Sequence, residues 1–277
     1  MVLDRMELAD IGSPRKMAAG VLGLLPSVVF PLPVEEVALA LEIKQIVDFE
    51  TQAFEGALLA DEAKSNCAIL VRAGSRPERR RFTVGHELGH YLLPLHIPTG
   101  DGFKCTPADF NQEESSAARG KLAWEAEANS FAAELLMPPK EFKQRLRSAR
   151  GVSVEALVSL CNDFGVSRTA GGRRMTQLAD DACALVVSKE GVIKQIYRHT
   201  DFPFIGLKIG MSVPRDALVR SFREPTGSIS NIDDTDPAAW QVRELRGLEL
   251  YEQVLAQGDG WGISLLTDEV DEEDDEE

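Results

Sequence analysis

Two histidines and a glutamate within five residues of an apolar helix constrain this chain more than any other feature. They lie in the stretch Arg81-Phe82-Thr83-Val84-Gly85-His86-Glu87-Leu88-Gly89-His90-Tyr91-Leu92-Leu93. On a helix each residue turns roughly 100°, so His86 and His90 fall one turn apart on the same side. Two imidazoles so placed can hold one metal ion, and Glu87 projects beside them, where a carboxylate can take a proton from an activated water. Most other positions are apolar or glycine, the pattern of a buried helix. Three ionisable groups on such a helix must be paired or bound to something. Two internally hydrogen-bonded histidines are the plainer reading.

Ser75-Arg76-Pro77-Glu78 has the capping-box pattern, with Ser75 as N-cap and Glu78 three residues on. The helix is thus expected from about Arg76 to Leu93, where Pro94 stops it. Arg79, Arg80 and Arg81 are expected to form a solvated face. Upstream, Ser13-Pro14 opens a short helix and Pro33-Val34 a second. Strand-like runs near 44–48, 54–59 and 67–71 predict a small antiparallel sheet. An open edge of such a sheet beside a metal would suit an extended peptide; an edge covered by the chain's own loops is the even alternative.

Two histidines leave zinc short of a protein ligand. Residues 98–119 are polar and irregular and predict a loop. The helical run from Lys121 to Met137 follows, stopped by Pro138-Pro139. On a helical wheel Glu125 sits within the apolar stripe of Trp124, Ala128, Phe131, Ala132, Leu135 and Leu136, whereas Glu127 and Glu134 fall on the other side and read as solvated. An inward carboxylate needs a partner, either a metal or a buried arginine. Asn129, one turn after Glu125, is placed to fix a ligand histidine through its second ring nitrogen.

The run Arg80 to Leu92, followed by Glu125-Ala126-Glu127-Ala128-Asn129-Ser130-Phe131-Ala132-Ala133-Glu134-Leu135-Leu136-Met137-Pro138, resembles the ImmA/IrrE family of zinc metallopeptidases. The likeness extends more loosely from about Ser13 to Leu178. It implies a zincin-like fold, Zn2+ held by His86, His90 and Glu125, and Glu87 as catalytic base. Relatives cleave helix-turn-helix repressors, so the resemblance implies a protein substrate that binds DNA. The family often carries alanine before the first histidine, where this chain has Gly85.

Further on, 140–174 holds eight basic residues against three acidic ones. Ser153 to Phe164, a Gly165-Val166-Ser167 turn and a second helix to Leu178 read like a helix-turn-helix. Direct DNA binding through Arg168, Arg173 and Arg174 is one expectation. The favoured one is a helical pair packed on the catalytic domain, because Gly171-Gly172 weakens a recognition helix. Beyond Asp181, a hairpin around 188–191, a helix over 214–222 and a second hairpin around 257–261 predict a small α+β module. Tyr91, His96, Tyr197 and His199 are candidates for stabilising an oxyanion.

The expected architecture is therefore α+β: a zincin-like domain over 1–139, a helix-turn-helix-like segment over 140–180, a small α+β domain over 181–267 and an acidic disordered tail over 268–277. That tail carries nine of the acids, so the net charge of −15 becomes −15 + 9 = −6 without it. No apolar run suits a bilayer, the start has no signal-peptide layout, and Cys67, Cys105, Cys161 and Cys183 form no metal-ligand pair. A cytoplasmic zinc endopeptidase without membrane association is the expectation. Its rivals are a DNA-binding regulator whose metal is structural or vestigial, and a toxin–antitoxin or stress-response component acting by partner binding.

Overall fold

The computed structural model describes residues 3–61, 63–98, 102–111, 120–242 and 248–270. It is a mixed α and β structure with two sheets, and the chain divides into two compact units. The first comprises Met1–Glu141 with Asn162–Ser167, the second Phe142–Cys161 with Arg168–Glu277. Residues 140–180 thus contribute to both. No helix among the described residues is long and apolar enough to cross a membrane.

In the first unit, α1 (Pro14–Leu24) and α2 (Val34–Ala40) precede the strands β1 (Gln45–Phe49), β2 (Gly56–Leu59) and β3 (Ala68–Arg72). Next come α3 (Pro77–Leu92), β4 (Phe103–Cys105) and α4 (Lys121–Leu136). The sheet order is β1-β3-β2-β4. It is mixed rather than antiparallel as expected: β1 runs parallel to β3, while β2 is antiparallel to both β3 and β4. The direction of pairing depends on how the chain returns between strands, which strand composition does not encode. The fourth strand arises within the stretch expected as a loop. Residues 99–101 and 112–119 of that stretch lie outside the described residues.

The caps also differ from expectation. Arg76 is the N-cap of α3, Pro77 occupies the first turn, and no side chain caps the helix. Ser75 Oγ instead donates to the Arg72 carbonyl at 2.8 Å. Proline's fixed φ suits the first helical position, and that sets the boundary one residue later than a Ser75 cap requires. The arginines of the first turns are not a solvated face. Arg80 binds Glu35 of α2 and Asp48 of β1. Arg81 Nε donates to the Gly165 carbonyl at 3.1 Å, and Arg79 lies over the Phe110 ring. At the other end, Lys64 Nζ donates to the carbonyls of His90, Tyr91 and Leu93 at 2.6, 3.1 and 3.0 Å. A helix leaves its last carbonyls unsatisfied, and Lys64 supplies the missing donors.

Helix α3 packs on α4 through its glycines. A Cβ at Gly89 would lie 3.0 Å from Phe131 Cδ1 and 3.2 Å from Ala128 Cα. Val84, Leu88, Phe131, Ala132 and Leu135 are fully buried in this layer, each worth about 1.5–3 kcal/mol for the large side chains. Helix α4 meets α1 on another side. Glu134, expected to be solvated, is therefore only 8% exposed, with Arg15 of α1 3.5 Å away.

In the second unit, α5 (Pro139–Ser148, which begins in the first), α6 (Val154–Phe164) and α7 (Arg168–Leu178) lead to β5 (Cys183–Lys189) and β6 (Val192–Arg198). Then follow α8 (Leu218–Ser221), β7 (Asp233–Asp234), β8 (Leu248–Ala256) and β9 (Trp261–Val270). All pairs in the sheet β6-β5-β9-β8-β7 are antiparallel. Both expected hairpins are present; Glu190 and Gly191 turn the first with positive φ. The helix expected over 214–222 shrinks to four residues. The acidic tail begins later than expected, because Asp268 to Val270 continue β9, while residues 271–277 lie outside the described residues.

Helix α7 packs against β5 and β6. A Cβ at Gly172 would meet Leu185 of β5 at 2.4 Å, and one at Gly171 would meet Cys161 Sγ at 2.3 Å. Arg174 is 5% exposed. The two glycines and this arginine thus face protein.

Candidate metal centre

Helices α3 and α4 and strand β4 bring four buried donor atoms together. His86 Nε2 and His90 Nε2 are 3.1 Å apart. Glu125 Oε2 lies 3.2 Å from the first and 3.4 Å from the second. Cys105 Sγ, from β4, is 3.7 Å from His90 Nε2. All four residues are buried, and their donor atoms lie within 4.8 Å of one another. The three residues expected as ligands are thus adjacent, and each faces the same point.

The surrounding hydrogen bonds dictate which ring nitrogens carry protons. Asn129 Nδ2 donates to the Asp109 carbonyl at 2.9 Å, which turns Asn129 Oδ1 toward His86 Nδ1, also at 2.9 Å. An amide oxygen only accepts, so His86 Nδ1 holds a proton. His96 Nε2 faces Glu127 Oε2 at 2.8 Å and must donate, while its Nδ1 faces His90 Nδ1 at 2.9 Å. Burial pushes His96 down to about 2 and His90 down to about 4, so both rings are neutral. Neutral His96 then accepts at Nδ1, and His90 Nδ1 donates. A neutral imidazole with its proton at Nδ1 has a bare lone pair at Nε2, and in that form His86 and His90 would turn two acceptors toward each other and toward a carboxylate.

Such an arrangement is repulsive unless a cation sits among the donors. Glu125 is fully buried among these donors. Its other oxygen, Oε1, makes no hydrogen bond among the described residues, and Lys121 Nζ stands 3.8 Å from it. Imidazole nitrogen, carboxylate oxygen and cysteine sulfur are the donors that zinc accepts. The residues therefore fit a zinc ion on the chemistry of the set and on its unsatisfied lone pairs.

Glu87 is fully buried, and among the described residues its carboxyl oxygens make no close hydrogen bond beyond the weak approach of the Cys105 thiol and the Leu58 N–H. Burial pushes its pKa well above the usual carboxylate range, against smaller opposing effects of Cys105 and the Leu58 N–H. Its place is made by Gly56 of β2: a Cβ there would stand 2.6 Å from Glu87 Oε1 and 2.4 Å from Thr83 Cγ2. Burial thus disfavours the charged carboxylate, and a cation held by the neighbouring imidazoles would favour it again. Aromatic rings wall the cluster. Phe103 stacks on His90 with centroids 4.4 Å apart, and Phe110 meets His86 edge-on at 4.7 Å.

Among the other candidates, His96 is fully buried and is occupied in holding His90. Glu127, expected to be solvated, is its partner. Tyr91 OH accepts from Arg5 Nη1 at 2.8 Å. Tyr197 and His199 belong to the second unit, where Arg173 lies over the Tyr197 ring and His199 Nδ1 accepts from the Asp201 N–H. Cys105 was missed as a metal-facing residue because no second cysteine or histidine stands near it in sequence. Its only sequence signal is the short alternation Phe103-Lys104-Cys105, which the strand buries at its first and third residues.

The sequence likenesses agree with this geometry. The IrrE N-terminal-like domain family matches residues 45–176. The "Metallopeptidase ImmA" of Bacillus subtilis (strain 168) is 27% identical over 104 residues, 38% of this chain and 55% of that protein. The match thus spans about half of that relative's length. Among solved structures, a Mycobacterium tuberculosis transcriptional regulator superposes with a TM-score of 0.59 at 17% identity, covering 95% of this chain and 79% of that one. That likeness speaks for the fold. The segment matched by the family model, 45–176, contains every residue of the cluster, and both sequence likenesses point to the ImmA/IrrE family.

Proposed function

We propose that this protein is a zinc-dependent endopeptidase with a zincin-like domain, and that its substrate is a protein, specifically a DNA-binding repressor. The observation that carries this reading is Glu87. A fully buried carboxyl with, among the described residues, no close hydrogen bond and no cation to pair with stands beside two imidazoles that can hold a metal, the place a proton-transferring group needs. The likeness of residues 45–176 to a metallopeptidase family supports the same chemistry.

In this reading His86, His90 and Glu125 hold the ion, and Asn129 and His96 fix the two imidazoles. Zinc, when bound, supplies Lewis acidity to a carbonyl oxygen and to a water. Glu87 takes a proton from the attacking water and returns it to the leaving amine. Phe103 and Phe110 keep bulk water from the imidazoles and so strengthen the electrostatics of the site.

The direct DNA-binding alternative draws less support. The face of α7 carrying Gly171, Gly172 and Arg174 is taken up by protein contacts, and a recognition helix needs a free face for the groove.

The test is incubation of the zinc-loaded protein with the small DNA-binding repressor encoded nearest to it, read by mass spectrometry of fragments. The parent is expected to cut at a defined bond. Glu87→Gln is expected to retain zinc and to yield no fragments. Equal cleavage by that variant would remove Glu87 as the base; an intact repressor after prolonged incubation with the parent would remove the substrate assignment.

A further inference from the structure

A zinc site that hydrolyses a bond keeps one position open, with three protein ligands; a site with four protein ligands is closed. Among the described residues the donors that gather are four: His86, His90, Glu125 and Cys105. The three closest separations match a shared ion, whereas the four donor atoms together spread over as much as 4.8 Å, so Sγ moves inward when all four bind. Zinc–sulfur and zinc–nitrogen bonds of about 2.3 and 2.05 Å at a tetrahedral angle put the two donors roughly 3.6 Å apart, and Cys105 Sγ lies 3.7 Å from His90 Nε2. Two nitrogens in the same geometry lie about 3.3 Å apart, against 3.1 Å for the two imidazoles.

Cys105 does not stand alone. Buried beside it are the carboxyls of Glu87 and Glu125, on both of which its thiol acts. The strand that carries it is tethered lightly. Among the described residues β4 has three residues at the edge of the sheet and pairs only with β2, in the register Gly56↔Cys105, Ala57↔Lys104 and Leu58↔Phe103.

We infer that Cys105 is a fourth protein ligand of the metal, and that a site closed by its sulfur is latent. This rests on the metal centre proposed above. Binding of the ion releases the thiol proton. Sγ then occupies the position that a water needs, so hydrolysis begins only when Sγ withdraws. Withdrawal requires either a change of the Cys105 side chain or a shift of β4 from the edge of β2. The strand that latches the site is thus one whose pairing an incoming extended chain can replace, because an edge strand is where a peptide adds.

Cobalt(II) substitution of the full chain tests this. The parent is expected to show the visible d–d bands of a tetrahedral ion and an intense near-ultraviolet thiolate-to-cobalt band. Cys105→Ser is expected to keep the d–d bands and lose the near-ultraviolet one. Its zinc affinity, by chelator competition, should fall at least about tenfold, the smaller loss seen when even an outer partner of a zinc ligand is removed. Acetohydroxamate should shift the d–d bands of Cys105→Ser and leave those of the parent unchanged. Zinc absorption-edge spectroscopy on the parent needs no variant and should find sulfur at about 2.3 Å. Visible bands without the near-ultraviolet band, or an edge spectrum without sulfur, would overturn Cys105 as a ligand and leave the His86, His90 and Glu125 site standing. A parent with no d–d bands would overturn the metal site and this inference with it.

Discussion

Two glycines on α3 flank His86 and His90, and the structure assigns them opposite responses to the same change. A Cβ at Gly85 would sit 3.4 Å from Ala132 Cβ, an ordinary contact with the end of a side chain. Gly85→Ala therefore gains the helix propensity of alanine over glycine, about 1 kcal/mol, with nothing to displace. A Cβ at Gly89 would sit 3.2 Å from Ala128 Cα and 3.4 Å from Ala128 O, both backbone atoms, and 3.0 Å from Phe131 Cδ1, a fully buried ring. The same propensity gain is then set against overpacking of about 1–3 kcal/mol. The two variants should differ by roughly 2 kcal/mol in unfolding free energy, measured as urea midpoints of the zinc-free protein at unchanged slope. Ala128 lies between Glu125 and Asn129 on α4, so pushing the helices apart also misplaces a ligand and its neighbour. Gly89→Ala should bind zinc about tenfold more weakly or worse, and Gly85→Ala should bind like the parent. Equal stability and equal zinc affinity for the two variants would refute the packing account of the α3–α4 contact.

Other expected outcomes follow from the same contacts. Asn129→Ala removes the partner of His86 Nδ1 and should weaken zinc binding by about 10–100-fold, read by competition with a chromophoric chelator. Lys64→Met strips the charged donor from three carbonyls at the end of α3 and should cost about 2 kcal/mol, measured by urea unfolding; an unchanged midpoint would mean those carbonyls find water instead. Removal of zinc by a chelator should lower the thermal midpoint of the parent, since free ion at a thousand times its Kd adds about 4 kcal/mol. Glu87→Gln should show the same drop, because its carboxyl is not a ligand in this account.

What the sequence made legible, and what it hid, follows from how local each signal is. His86, Glu87, His90, Glu125 and Asn129 lie on two helices with strict periodicity, so spacing alone predicts that each set shares a face. Gly85 stands where the family often carries alanine, and the space beside it would admit one. Glu134 and Glu127 were misread because a wheel assumes one buried side, whereas α4 packs against both α3 and α1 and carries the partner of His96 on a further side. Cys105 was hidden because its strand exists only through pairing with β2, forty-odd residues earlier in the chain. The parallel pairing of β1 and β3 was hidden for the same reason. The arginines of α3 read as solvated because their partners, Glu35, Asp48 and Gly165, are remote in sequence.

The most direct test of the central claim is zinc titration of four proteins side by side: the parent, His86→Ala, Glu125→Ala and Glu87→Gln. The account predicts one tightly held ion per chain in the parent and in Glu87→Gln, with affinity collapsing in the other two. Glu125→Ala binding zinc as tightly as the parent would contradict it, because the carboxylate that α4 aims between the two imidazoles would then have no part in holding the ion.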